Sequence, residues 1–204
     1  MSRREQKKAE KRERIEKTAL DLFLEQGFDR ASIEQVISGA DIARGTFYLY
    51  YPDKLSLFQA IQNRWLQPTI AFMDQVHEQL LSAKTSQECI AIYQSMAQNL
   101  TFIGISHVSE ILLGLRELRS NHDAGRWMRE QELELQHLTT NLTEVAAERG
   151  LVDAENPRLS SLLIMGAVER IVFETLIGTP LGDPIKLASD ATILLSRVLG
   201  IGPK

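Results

Sequence analysis

The chain has 204 residues, 44% of them hydrophobic and 25% charged, with a net charge of −4 and a pI near 5.6. That is an ordinary soluble globular composition, and it excludes a protein that coats nucleic acid through overall basicity. A single cysteine, Cys89, excludes an internal disulfide and fits a reducing compartment. The start of the chain lacks an apolar signal region. The longest apolar stretch, around Leu162–Val168, is too short to cross a bilayer. The expectation is a cytoplasmic protein without membrane contact.

Charge is unevenly distributed. Residues 1–14 carry Arg3, Arg4, Lys7, Lys8, Lys11, Arg12 and Arg14 against Glu5, Glu10 and Glu13, a local excess of +4 that leaves −8 on the rest. A basic end on an acidic body fits contact with nucleic acid, and fits equally a solvated, frayed terminus. Residues 1–10 have no apolar face and are expected to be disordered or a loose helical extension.

From about Lys11 the spacing of Ile15, Ala19, Leu22 and Phe23 predicts a helix. Gly27 suits its left-handed cap, with Phe28 packing back on Phe23. Ser32 and Gln35 form a capping box that opens a second helix, whose apolar face is Ile33, Val36 and Ile37. Gly39–Ile42 is a turn in which Asp41 tolerates the left-handed conformation. A third helix spans roughly Ala43–Leu49, and Pro52 ends it. Further helices are predicted near 53–65, 69–83, 86–101, 105–120, 123–149, 157–177 and 184–199, with breaks at Pro68, Gly104, 121–123, 150–157 and 178–184. No β-alternating run is present. The fold class is all-α: a three-helix N-terminal domain with a helix-turn-helix (residues 1–54), then a larger helical bundle (residues 55–204), about nine helices in all.

The segment Ser32–Lys54 carries the chemistry of a DNA reader. Such a reader needs a rigid helix that reaches base edges and flanking donors that hold phosphates. Arg44 can bond guanine bidentately, Thr46 offers a hydroxyl and a methyl, and Gly45 admits close backbone approach. Tyr48 and Tyr51 have hydroxyls suited to phosphates. Lys54 and Ser32 sit at helix starts, where backbone N–H groups attract anions. The competing reading is a small helical unit with the aromatics as core, which fits Phe47 and Tyr50. Exposed Thr and Gly lower helix propensity without helping packing, which favours DNA for Arg44, Thr46, Tyr48 and Lys54.

Arg14–Leu57 resembles the N-terminal domain of the tetracycline-repressor (TetR) family. The resemblance rests on Ile15…Ala19…Leu22-Phe23…Gly27-Phe28, on Ser32-Ile33…Val36, and on the run from Ala40 to Leu55 with its Gly45-Thr46-Phe47-Tyr48…Tyr51-Pro52-Asp53-Lys54. It covers about a quarter of the chain and implies a homodimeric, usually ligand-responsive repressor. The chain departs from the pattern at Asp41, where the family has a turn Gly, and at Ala43, where a Ser or Thr often caps. It departs again at Leu49, often basic, and at Tyr51, usually Phe.

A helix-turn-helix reads few base pairs, so a dimer on a near-palindromic operator is expected. The candidate dimer surface is Leu162, Met165, Val168, Val172 and Leu176 on one helix, apolar on every side, with Leu187, Ala188, Ala191, Leu194, Leu195 and Val198 on the next. The alternative is a monomer core. The middle helices offer Phe72, Met73, His77, Tyr93, Met96, Phe102, His107, Leu112, Trp127, Met128 and Phe173 as candidate lining for a small apolar or amphipathic ligand, against plain core. Glu134 and His137 have a metal-binding spacing, but His137 falls on the polar side of its helix, and a carboxylate-bridged site needs two such pairs. No catalytic residue, metal or cofactor is expected. The functional expectation is a sequence-specific repressor released by a small ligand. A dimeric helical scaffold without DNA specificity and, more remotely, a helical-bundle metal enzyme are the alternatives.

Overall fold

The computed structural model describes residues 2–179 and 182–198. Among the described residues there are nine α-helices and no strand. They are α1 (Arg3–Gln26), α2 (Ile33–Gly39), α3 (Arg44–Tyr50), α4 (Lys54–Ser82), α5 (Ser86–Ser106), α6 (Val108–Leu118), α7 (Asp123–Glu148), α8 (Pro157–Leu176) and α9 (Pro184–Val198).

Of the two readings of residues 1–10 the helical one holds, and two predicted helix breaks change. Residues 3–10 belong to α1 and begin it with a capping box: the Ser2 hydroxyl accepts from the Glu5 N–H, and the Glu5 carboxylate accepts from the Ser2 N–H. Pro68 does not end a helix but lies inside α4. An interior proline costs about 3 kcal/mol. Leu66, Met73, Val76 and Leu80 are all buried along the same helix, and at about 1.5–3 kcal/mol per buried side chain they more than offset it. Gly104 is likewise interior to α5, which ends at Ser106 with His107 as its C-cap; a lone glycine weakens a helix by about 1 kcal/mol without stopping it.

The described chain forms two compact units. The first comprises Met1–Trp65 and Ser109–Glu130, so α1–α3 share it with the start of α4, nearly all of α6 and the start of α7. Its core is Ile15, Ala19, Phe23, Phe28, Val36, Phe47, Leu57, Phe58, Ile61 and Leu113. Phe23, Phe28 and Phe58 pack ring against ring at 5.4–6.2 Å, and Trp127 meets Phe58 edge-on at 6.0 Å. Gly114 lets α6 approach: an added Cβ would stand 2.8 Å from Gln62 Oε1 and 3.1 Å from Met128 Cε. Gln62 is itself buried, accepting from the Trp65 indole and donating to the Glu110 carbonyl.

The second unit comprises Leu66–Val108 and Gln131–Lys204. Its core gathers Met73, Val76, Leu80, Cys89, Leu142, Ala146, Leu151 and Val152. Phe72, Tyr93, Met96, Leu138 and Ile164 pack on it, and α9 lies along α5. Cys89 is buried, which pushes its thiol up to about 11.

Candidate nucleic-acid interface

The helix-turn-helix is assembled from local rules. Ser32 and Gln35 close a reciprocal capping box at the start of α2, as their spacing predicts. At its end the Ile42 N–H reaches the Ile37 carbonyl and the Asp41 N–H reaches that of Ser38. This is the Schellman pattern, and its left-handed position is Asp41, with φ of 48°. Aspartate holds that conformation at a cost that glycine avoids. Asp41→Gly should therefore raise stability by about 0.5–1 kcal/mol, read as a higher urea midpoint at unchanged slope. A lower midpoint would mean that the Asp41 side chain has a stabilising role of its own. Ala43 occupies the N-cap of α3 and offers no side-chain cap.

Phe47 anchors α3, with 0% exposure. Around it Arg44, Gly45, Tyr48 and Leu49 face outward, and Thr46 is half-buried. The Arg44 guanidinium lies 3.4 Å from Glu34 and 6.0 Å from the centre of the Tyr48 ring. Such an exposed ion pair contributes about 0.2–1 kcal/mol, so Arg44 can exchange it for another acceptor at little cost. A Cβ on Gly45 would meet nothing within 4 Å. The glycine is therefore not required by packing, although it weakens the helix by about 1 kcal/mol. Ser32 accepts from the Gln35 N–H, which leaves its own O–H directed elsewhere.

Two residues expected to hold phosphates have their polar groups engaged inside the protein. Tyr51 is 4% exposed, and its hydroxyl donates to Glu16 Oε1 at 2.5 Å. Burial, and then the Glu16 carboxylate, push its ionisation above the ordinary tyrosine range. Arg12 donates to the same carboxylate at 2.8 Å. The Lys54 ammonium donates to the carbonyls of Phe28, Ala31 and Asp29 at 2.7, 2.9 and 3.1 Å and lies 4.4 Å from the Phe28 ring centre. Burial lowers its ionisation below the ordinary lysine value. The helix start beside it is capped by Asp53, whose carboxylate accepts from the Ser56 N–H.

The sequence reading missed a set of groups on α6 that fix the end of α1 and the loop before the helix-turn-helix. Arg116 donates to the Phe23 and Leu24 carbonyls, both at 2.7 Å, and so caps the C-terminal end of α1. Gly27, at φ of 89°, makes room for it, since a Cβ there would stand 2.9 Å from Arg116 Nη2. Buried Glu117 accepts from the Phe28 N–H, from Arg116 Nε, and from His122 Nε2 at 2.8 Å. The signal was present: Glu110, Leu113, Gly114 and Glu117 form one helical stripe with an acid at each end, and all four are buried. Leu49, 84% exposed on α3, was also passed over as a contact.

The remaining candidates separate between the units. Phe72, Met73, Tyr93 and Met96 come together at the core of the second unit; His77, Phe102, His107 and Phe173 lie in the same unit outside that cluster, Phe102 and Phe173 exposed. Leu112, Trp127 and Met128 belong to the first unit instead, Trp127 and Met128 as part of its core. Among the described residues Tyr93 Oη is the one buried side-chain N or O atom without a hydrogen-bond partner. On α8 and α9, Leu162, Val168 and Leu194 are exposed, while Met165, Val172, Leu187 and Ala191 are half-buried. The side chains of Leu176, Ala188, Leu195 and Val198 lie outside the described ones. Glu134 and His137 are both exposed.

Residues 15–61 match the family model for bacterial regulatory proteins, tetR family. That segment is a tetR-family domain. Along most of its length the regulator is similar to an uncharacterized HTH-type transcriptional regulator, YvdT of Bacillus subtilis, with 24% identity over 93% of this chain and 95% of that one. Its fold is that of NalD, the secondary repressor of the MexAB-OprM multidrug efflux pump in Pseudomonas aeruginosa, at a TM-score of 0.71 and 22% identity over 95% and 98% of the two chains. It is also that of FadR from Bacillus subtilis, solved in complex with stearoyl-CoA, at a TM-score of 0.66 and 18% identity over 90% and 96%. The TetR family and YvdT are transcriptional regulators, not enzymes. No helix among the described residues is long and apolar enough to cross a membrane.

Proposed function

We propose that this transcriptional regulator is a cytoplasmic homodimeric repressor that binds a near-palindromic DNA operator and leaves it when a small ligand binds. The observation that carries the reading is the outward edge of α3. There Arg44 is held by an exposed ion pair and a surface ring contact, and Gly45 serves no packing need. In this reading Arg44, Gly45 and Thr46 meet base edges, Leu49 packs on a thymine methyl, and Tyr48 and Ser32 hold phosphates. Tyr51 and Lys54 hold the reader in place. Residues 1–54 form the reading head, steadied by α6, and the remainder binds the ligand and the partner.

The dimer reading draws support from α8 and α9. Leu159, Leu162, Leu163, Val168, Ile193 and Leu194 are exposed in a single chain, an arrangement that a second copy would cover. The ligand reading draws support from the apolar cluster around Met73, Tyr93 and Met96, where the unpartnered Tyr93 hydroxyl could bond a polar group on an otherwise apolar molecule. The chain passes between its units within α4, at the start of α6 and within α7. A ligand that prefers one arrangement of these helices shifts the head by its difference in affinity for the two states.

Selection from a random DNA pool should enrich a palindrome. On that site Arg44→Ala should bind about 1–3 kcal/mol more weakly and relax one base preference. Gly45→Ala should divide the two properties: the protein becomes about 1 kcal/mol more stable, yet binds the operator more weakly because a methyl group stands where DNA approaches. Thermal melts and titrations of the same samples read both. A pool without enrichment would overturn the repressor reading in favour of a scaffold. A Gly45→Ala protein that binds as wild type would remove α3 from the interface.

A further inference from the structure

We infer that the first three turns of α1 form a basic rail that grips DNA phosphates flanking the bases read by α3; the inference rests on the DNA-binding reading above. None of residues 2–14 is buried, and the first core residue of α1 is Ile15. The helix nonetheless continues back to Arg3, so about 18 Å of it projects past the core at 1.5 Å per residue. That is roughly the length of five base pairs at 3.4 Å each.

The cations on this projection are ordered. At about 100° per residue, Arg3, Arg4, Lys7, Lys11 and Arg14 fall within an arc of about 100°. No acid lies inside the arc; Glu10 stands at its margin, and Glu5 and Glu13 lie on other faces. Arg3, Lys7 and Lys11 follow one another at four-residue spacing, which sets like charges together and destabilises the helix by a few tenths of a kcal/mol per pair. Among the described residues Arg3, Arg4, Lys7 and Lys11 have no ion-pair partner. The stripe thus carries a cost that nothing described within the chain offsets, and the rest of the chain is acidic.

Two contacts aim the rail at the helix-turn-helix. Arg14, the last residue of the stripe, lies 3.5 Å from the Asp41 carbonyl in the turn before α3. On the neighbouring face the Tyr50 hydroxyl donates to the Lys8 carbonyl at 3.3 Å. Glu5, Lys8, Ala9 and Arg12 there line a cleft of about 430 Å³ with Leu49, Tyr50 and Tyr51. The projection is therefore fixed alongside the reading helix. A rigid cationic helix docked in this way extends the contact with DNA outward along the backbone without reading bases.

The test uses the full chain with Arg3, Arg4, Lys7 and Lys11 all changed to Gln, which preserves helix propensity and leaves Arg14 in place. Binding is titrated across salt concentrations on the selected operator with ten-base-pair flanks and on the same operator trimmed to the palindrome. On the flanked duplex the variant should bind at least tenfold more weakly, and its log–log salt slope should be shallower by roughly 2–4 per protomer, about 0.9 per phosphate released. On the trimmed duplex wild type and variant should converge, and both should enrich the same sequence. Exchanging Arg for Lys and Lys for Arg at the four positions should restore wild-type binding. An unchanged slope and affinity on the flanked duplex would overturn the rail while leaving sequence-specific binding intact. Failure of the wild type itself to enrich a sequence would overturn the reading beneath it.

Discussion

Glu117→Ala should destabilise the protein by about 3–4 kcal/mol, a large share of the 5–15 kcal/mol that holds a typical domain together. Glu117 is 4% exposed and accepts from three donors: the Phe28 N–H, Arg116 Nε and His122 Nε2. Hydrogen bonds to a charged group are worth about 1.5–3 kcal/mol each, and a buried donor left without an acceptor costs about 1–3 kcal/mol more. Arg116 retains the Phe23 and Leu24 carbonyls, so the sum falls short of three full bonds. Glu117→Gln keeps an acceptor for one donor and should lose about half as much. Chemical denaturation followed by circular dichroism gives both values. A Glu117→Ala midpoint within about 0.5 kcal/mol of wild type would show that the loop after α1 holds its shape without α6. The same variant should also bind the operator more weakly, because α1 and its following loop frame α2 and α3.

Lys54→Ala should cost about 2–4 kcal/mol of stability, and Lys54→Arg should recover little of it. The ammonium sits where three carbonyls converge, those of Phe28, Asp29 and Ala31. A compact tetrahedral donor suits that arrangement; a planar guanidinium fork does not. The three bonds tie the α1–α2 connection to the first residue of α4, and the Phe28 ring beneath adds a cation–π contact. A lysine acting only as a phosphate ligand would behave differently. Its removal would leave the melting temperature unchanged and reduce the salt slope by about one. Measuring stability and salt-dependent binding on one sample separates the two roles, and an unshifted melt would refute the structural one.

Sequence showed the helix-turn-helix clearly because its determinants are local. The Ser32–Gln35 box, Gly27, Asp41 and Pro52 each act within five residues, and the structure uses the first three at the positions their chemistry indicates. Elsewhere a local signal lost to packing: Pro68 and Gly104 read as breaks, yet each lies inside a longer helix. Lys54 and Tyr51 read as free polar groups because their partners lie 23–26 and 35 residues away in sequence. The partners of Arg116 and Glu117 lie 89–93 residues away, so periodicity marks Glu117 as part of a buried stripe but cannot name what it holds. Of the candidate ligand residues, Trp127 and Met128 looked like Tyr93 in kind. Only the division into two units assigns them to the core beneath the reading head.

That the reading head closes only with residues 109–130 bears on how such regulators can be recombined. A hybrid protein that borrowed residues 1–65 and joined them to a foreign bundle would bring the aromatic trio Phe23, Phe28 and Phe58 without the helix that covers it. The carbonyl end of α1 would be uncapped and the Phe28 amide unsatisfied. A working exchange must take two separate stretches of chain, or re-create Arg116, Glu117 and Gly114 in the recipient. The helix-turn-helix and the second unit are therefore not independently transferable here: the α6 segment that completes the first unit runs directly on from α5 of the other.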